Sequence, residues 1–201
     1  MANARTGIER GAKAASLDFI WRTQKEMCSQ LLGSYLPDTQ WAVRFASFEG
    51  DVAGRAEEYT FYLDGKNGTL ERIQQTVPEN APGTTLSQAE ARGIALAAVE
   101  RYFGLQPDQL KEISATDLKR PARKDWQFIF QDTTKELKAD GQAQITITIA
   151  GNKVIDYERS VFVPETWTRT ENERTSAFSV FGMVNILLLL GTVCYGISFF
   201  W

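Results

Sequence analysis

Ala143-Gln144-Ile145-Thr146-Ile147-Thr148-Ile149 alternates apolar and polar side chains without a fault. A strand turns successive side chains to opposite faces, so this run predicts a strand buried on one side and wet on the other. Gly151-Asn152 follows as a turn signal, and residues 154–163 then read as the second arm of a hairpin. Upstream, Trp126, Phe128 and Phe130 alternate in the same way and are expected to line the same core. Before them, Ser87-Gln88-Ala89-Glu90 has the form of a capping box, which satisfies two exposed backbone donors at a helix start. Ala91, Ile94, Ala95, Ala98, Val99 and Tyr102 then form one apolar face at helical spacing, and Gly104 stands as a C-terminal cap before the Pro107-Asp108 turn. One helix packed on a small antiparallel sheet is an α+β unit.

The same pattern occurs earlier in the chain at a spacing of 85 or 86 residues. Trp41-Ala42-Val43-Arg44-Phe45 corresponds to Trp126-Gln127-Phe128-Ile129-Phe130. Tyr59, Phe61 and Leu63 correspond to Ile145, Ile147 and Ile149, each set followed two residues on by Gly65 or Gly151. Val77-Pro78-Glu79 answers Val163-Pro164-Glu165. This order of features implies two copies of one unit, 1–80 and 81–163. In the first copy Trp41, Val43 and Phe45 are expected in the core. Ile8, Ala12, Ala15 and Phe19 suggest a weaker first helix, with a second from about Thr23 to Leu32.

After a linker or juxtamembrane helix at 164–175, residues 176–201 carry no charged side chain, with Ile186-Leu187-Leu188-Leu189-Leu190 in the middle. As a helix at ~1.5 Å per residue this stretch is roughly 39 Å long, enough for a hydrocarbon core of ~30 Å. It is therefore expected to be a transmembrane helix. Ser179, Gly182, Asn185, Thr192 and Gly196 fall near one stripe of it, which suits packing against further membrane helices, with Gly182, Asn185, Thr192 and Gly196 as the contact positions. The lipid bilayer is thus an expected partner. No apolar leader opens the sequence. A tail-anchored protein and a piece of a longer membrane protein both fit. Flanking charge leaves the topology open, since Arg169 and Arg174 are balanced by Glu171 and Glu173.

Composition narrows the chemistry. The 201 residues include 22 basic and 25 acidic side chains, no histidine and two cysteines, Cys28 and Cys194. A net charge of −3 argues against nucleic-acid binding driven by counterion release. Without histidine there is no Ser-His-Asp or Cys-His set and no histidine-ligated metal site. Two cysteines build neither a Cys₄ site nor a disulfide framework. The remaining candidates have ordinary readings. Lys119-Arg120-Pro121-Ala122-Arg123-Lys124 is a dense basic run, read as a solvated loop before a strand, with attraction of anionic lipid or protein as the alternative. Asn67-Gly68-Thr69 is a glycosylation sequon inside a turn signal, Asp64-Gly65-Lys66-Asn67-Gly68. Glu57-Glu58 opens a strand with no second acid at a useful spacing. No residue is assigned a catalytic, cofactor-binding or metal-binding role.

Several motifs between about Pro37 and Arg169 resemble the region that precedes the catalytic domain in bacterial CPBP intramembrane proteases, the CAAX-prenyl-protease-like (Abi) family. They are Trp41-Ala42-Val43-Arg44-Phe45, Glu57-Glu58-Tyr59, and Pro82-Gly83 before Leu86-Ser87 and Glu90-Ala91-Arg92. Lys119-Arg120-Pro121-Ala122-Arg123-Lys124-Asp125-Trp126 and Val163-Pro164-Glu165-Thr166-Trp167-Thr168-Arg169 complete the set. The resemblance implies a tandem pair of PepSY-like α+β units placed outside the bacterial cytoplasmic membrane. It also implies a non-catalytic, membrane-tethered role in binding or gating a peptide or protein substrate of the protease. The family's chemistry uses a Glu-Glu-x-x-x-Arg motif and histidines. Here Glu57-Glu58 is followed by Tyr62 where the arginine belongs, and no catalytic residue carries over. The alternative expectation is a complete single-pass anchored binding or inhibitory protein with no protease attached.

Overall fold

The computed structural model describes residues 3–10, 14–47 and 57–175. In chain order the elements are β1 (Asn3–Arg10), α1 (Ala14–Thr23), α2 (Lys25–Leu31), β2 (Thr39–Ser47), β3 (Glu57–Asp64), β4 (Leu70–Thr76) and α3 (Gln88–Phe103). After a 3₁₀ turn at Pro107–Gln109 come β5 (Leu110–Lys119), β6 (Lys124–Glu136), β7 (Gln142–Ala150) and β8 (Lys153–Phe162). A further helix, α4, covers 165–175. The strands form two antiparallel sheets, β1-β2-β3-β4 and β5-β6-β7-β8, so the architecture is α+β.

The second sheet is built as its pattern predicts. Ile145, Ile147 and Ile149 are fully buried, and so are Phe128 and Phe130 opposite them on β6. Helix α3 covers this face with Ala91, Ala95, Ala98 and Val99. Small side chains on the helix let its backbone approach the bulky strand residues closely, and each large side chain buried here stabilises by about 1.5–3 kcal/mol. The helix is stopped at both ends by local chemistry. Ser87 and Glu90 make the reciprocal capping box, and Gly104 takes the left-handed conformation at φ 69°. At the head of β6, the Trp126 indole N–H donates to the Leu86 carbonyl at 3.2 Å, so the ring is buried without an orphaned donor.

Strand register puts the residues matched in the sequence at corresponding positions of the two sheets. Trp41 faces Leu63, Val43 faces Phe61 and Phe45 faces Tyr59. At the equivalent positions Trp126 faces Ile149, Phe128 faces Ile147 and Phe130 faces Ile145. Both hairpins carry an irregularity at the same step, between Tyr62 and Leu63 in one and between Thr148 and Ile149 in the other.

The first copy departs from expectation in three ways. Ile8 belongs to a strand and pairs with Trp41, so no helix starts there, while Ala12 lies outside the described residues. Strand β1, which precedes the helices, fills beside β2 the place that β5, which follows α3, fills beside β6. Helix α1, moreover, packs against the second sheet. The Ser16 hydroxyl donates to the Val161 carbonyl at 3.0 Å, the Lys138 backbone N–H donates to Gln24 Oε1 at 3.2 Å, and a Cβ on Gly141 would stand 2.5 Å from the Phe19 ring. Trp41 and Phe45 are consequently 42% and 40% exposed, and the expectation that they are core residues is corrected. With α1 on the other sheet, the aromatic face of the first sheet is left to cover itself. Phe61 meets Phe45 edge-on at 5.8 Å and stacks with Tyr59 at 6.3 Å.

Residues Met1–Phe162 form one compact unit and Val163–Trp201 another. In the second, α4 is a charged helix held by local pairs such as Arg169 with Glu165 at 3.0 Å, one turn apart. The expected membrane crossing has no counterpart among the described residues. Among the described residues no helix is long and apolar enough to span a membrane, because the described helices carry charge or are too short. The stretch 176–201, with Ser179, Gly182, Asn185, Thr192 and Gly196, lies outside the described residues.

Candidate binding cleft between the two repeats

Strands β4 and β8 occupy equivalent places in the two repeats, and each is the last strand of its sheet. They meet edge to edge through side chains, with no shared backbone ladder. Arg72 donates to both carboxylate oxygens of Asp156 at 2.7 Å and lies 3.3 Å from Glu158. The Gln74 amide donates to Asp156 at 3.2 Å, and the Tyr157 hydroxyl is hydrogen-bonded to the Ile73 backbone. In the repeat alignment Arg72 corresponds to Asp156, Ile73 to Tyr157 and Gln74 to Glu158. The contacts Arg72–Glu158 and Gln74–Asp156 are therefore reciprocal about the Ile73–Tyr157 pair. That is the pattern of an isologous interface, here made within one chain.

Beside this junction opens a cleft of about 270 Å³. Its walls are the turn after α2, the start of β4, the end of α3 and the middle of β8. Tyr35, Tyr102, Phe103 and Tyr157 supply aromatic surface, Tyr102 stacking flat on Tyr157 at 3.9 Å between centroids. The Tyr35 hydroxyl donates to the Gln144 carbonyl at 3.1 Å. Burial, reinforced by the nearby Asp132 carboxylate, pushes that hydroxyl far above the ordinary tyrosine value, so it is a fixed neutral donor.

Two arginines in this wall behave oppositely. Burial works against the charge on Arg72, but Asp156 and Glu158 outweigh it and hold the group above its ordinary value. Arg159 is pulled below its ordinary value by burial, with Tyr35 and Asp132 offsetting this only in part. Its Nε is buried with no acceptor. Its other nitrogens reach only backbone carbonyls, Ser34 at 3.5 Å and Phe103 at 3.4 Å, near the outer limit for a hydrogen bond. The guanidinium lies over the Tyr35 and Phe103 rings at 4.9 and 4.6 Å.

The residues singled out from sequence fall elsewhere. Glu57 and Glu58 open β3 as expected; Glu58 pairs with Arg44, and Glu57 takes bonds from the Tyr59 hydroxyl and the Gln75 amide. Asp64 turns the chain by accepting the backbone N–H groups of Lys66 and Asn67, which hold its carboxyl below the usual range. The reading of the basic run as a solvated loop is corrected. Arg123 is buried, pairs with Asp125 at 2.8 Å and donates to the carbonyls of Pro78 and Ala81 at 2.7 and 2.8 Å. Arg120 joins Glu79 at 3.0 Å and Asp125 at 3.3 Å, and Lys124 pairs with Asp117 at 2.9 Å. Three of these charges thus have partners, and the two arginines clamp the connection between the repeats onto β6. Gly83 belongs to the clamp, since a Cβ there would press on the Arg123 side chain at 3.0 Å.

Arg159 was not among the sequence candidates. Its signal was a charged residue at an inward position of β8, opposite Ile145. Among the described residues no group of acidic, cysteine or histidine side chains gathers to hold a metal ion. No family model, curated protein or solved structure matches this chain.

Proposed function

We propose that this chain is a non-catalytic binding module that holds an extended peptide in the cleft where its two sheets meet. The observation that carries the reading is the junction itself. Two sheet edges, β4 and β8, face each other without a common ladder beside an open, aromatic-walled cleft. Sheet edges present backbone donors and acceptors, and adding a strand to them is a general mode of peptide recognition. The exposed Trp41, Phe45 and Leu70 on the first sheet add apolar surface of the kind that marks interaction sites.

The motif resemblance gives this module a context, the PepSY-like tandem region of a CPBP-type protease, where it would present or gate substrate for a separate catalytic part. A binding role also agrees with the sequence, which has no histidine and carries Tyr62 where that family's motif requires arginine.

The test is fluorescence anisotropy of the full chain with a panel of labelled, unstructured decapeptides. Micromolar binding is expected, weakened at least tenfold by Leu70→Glu, which changes an exposed side chain in the cleft wall. Absence of binding across the panel at protein concentrations up to about 1 mM, where even weak complexes form, sinks the reading.

A further inference from the structure

We infer that the cleft recognises a carboxylate, with the Arg159 guanidinium as the group that receives it. The inference rests on the peptide-binding reading for the source of that carboxylate, a peptide C-terminus or an Asp or Glu side chain.

The case begins with unmet donors. A guanidinium offers five N–H groups in a planar fork that matches a carboxylate, and a buried polar group without a partner is costly enough to require an explanation. Arg159 has a buried Nε with no acceptor and only two long contacts to backbone carbonyls. No ion pair involves it among the described residues. The neighbouring acids are already engaged. Glu158 pairs with Arg72, and Glu71 accepts the Gln40 amide at 2.6 Å. Asp132, fully buried, accepts the Thr134 hydroxyl at 2.6 Å and backbone N–H at 2.9 Å and influences Arg159 from a distance. Positive charge therefore remains exposed to the cleft, in surroundings of low dielectric where a ligand carboxylate is strongly attracted.

The duplicated architecture supplies an internal control. Arg159 stands opposite Ile145 as Gln75 stands opposite Tyr59 in the first repeat. Gln75 is buried, neutral and satisfied, donating to Glu57 at 2.8 Å and to the Tyr59 hydroxyl at 2.7 Å. The fold thus accommodates a glutamine at this position. An arginine there lies over the Tyr35 and Phe103 rings, feels the Asp132 carboxylate from a distance and makes no ion pair with it. It supplies a preorganised anion receptor beside a space near the lower end of ligand-pocket volumes, ~300 Å³.

The experiment uses the full chain with ¹⁵N-labelled arginine and four probes. These are sodium acetate, acetyl-Gly-Gly-Leu-Phe as the free acid, the same peptide as its C-terminal amide, and acetyl-Gly-Glu-Leu-Phe amide. The Arg159 Nε–H resonance is expected to shift with acetate and with the free acid, which should bind at least tenfold more tightly than the matched amide. Tighter binding by the Glu-containing amide than by the free acid would also support the site and assign its source to a side chain. Arg159→Gln should abolish the preference while leaving the melting temperature unchanged or raised. Arg159→Lys, which keeps the charge and loses the fork, should fall between. Equal binding of all three peptides, or a preference that survives in Arg159→Gln, overturns the inference and leaves peptide binding standing. An acetate response without any peptide binding keeps the carboxylate site and removes the peptide reading. Silence with every probe removes both.

Discussion

Trp41 and Trp126 stand at the same place in their repeats, facing Leu63 and Ile149, yet the first is 42% exposed and the second 5%. Phe45 and Phe130 differ in the same sense, at 40% and 1%. Pleat and register are common to the two sheets, so neither explains the contrast. The cause is the route of the helices. In the second repeat α3 lies on the sheet that follows it, whereas α1 of the first repeat and the turn after α2 reach the second sheet too. One sheet is therefore covered by helices from both copies, and the other covers its aromatics with one another. Two sheets can share a strand pattern and differ in their core, because the pattern sets which side chains share a face while burial depends on what lies above it.

This contrast can be broken most directly by cutting the same residue in both repeats. Phe130→Ala should cost about 3–5 kcal/mol, the usual range for emptying a sealed aromatic site. Phe45→Ala should cost less than about 1 kcal/mol, as expected for a partly exposed position. Urea denaturation of the two variants would show it, and equal losses would mean that the first sheet is covered after all.

The junction is the next comparison. Arg72 and Asp156 hold equivalent positions with opposite charge and bind each other. Arg72→Asp alone should lower stability by about 2–3 kcal/mol, since it leaves like charges facing in a half-buried site. The exchange Arg72→Asp with Asp156→Arg should recover at least half of that loss if the two edges are related by a near two-fold. An exchange as damaging as the single change would refute the symmetry.

The smallest effect concerns the helix that only the second repeat lays on its own sheet. Ser87→Ala should cost about 1 kcal/mol, typical for an N-cap. Glu90 has its carboxyl held below the usual range by the Ser87 hydroxyl and backbone N–H. A carboxyl depressed in the folded state adds stability that is complete above its unfolded value and lost as pH falls through the folded one. Acid titration of thermal stability should show this component in the natural chain and a reduced one in Ser87→Ala.

Much of the fold could be read along the chain. Strands β6, β7 and β8 and helix α3 with both its caps follow from neighbours in sequence. The first repeat was harder to read. Nothing in Asn3–Arg10 alternates strongly, and the strand exists because β2 offers it a free edge. The basic run misled for a similar reason. Whether Arg123 is solvated or buried depends on the carbonyls of Pro78 and Ala81, more than forty residues away. The cleft was invisible, because it joins the turn after α2, the start of β4, the end of α3 and β8, which no local pattern connects.

Periodicity, caps and turn signals act over a few residues, and for that reason they specify faces, element ends and register in any context. The missing histidine likewise bounds the chemistry before any folding. Which sheet each helix covers, which strand takes the fourth place in the first sheet, and which arginine finds a carboxylate are competitions among distant parts of the chain. Arg72 meets Asp156 and Arg159 meets only rings and carbonyls because the two sheet edges dock with one residue of each repeat at the centre. That docking is a property of the packed whole.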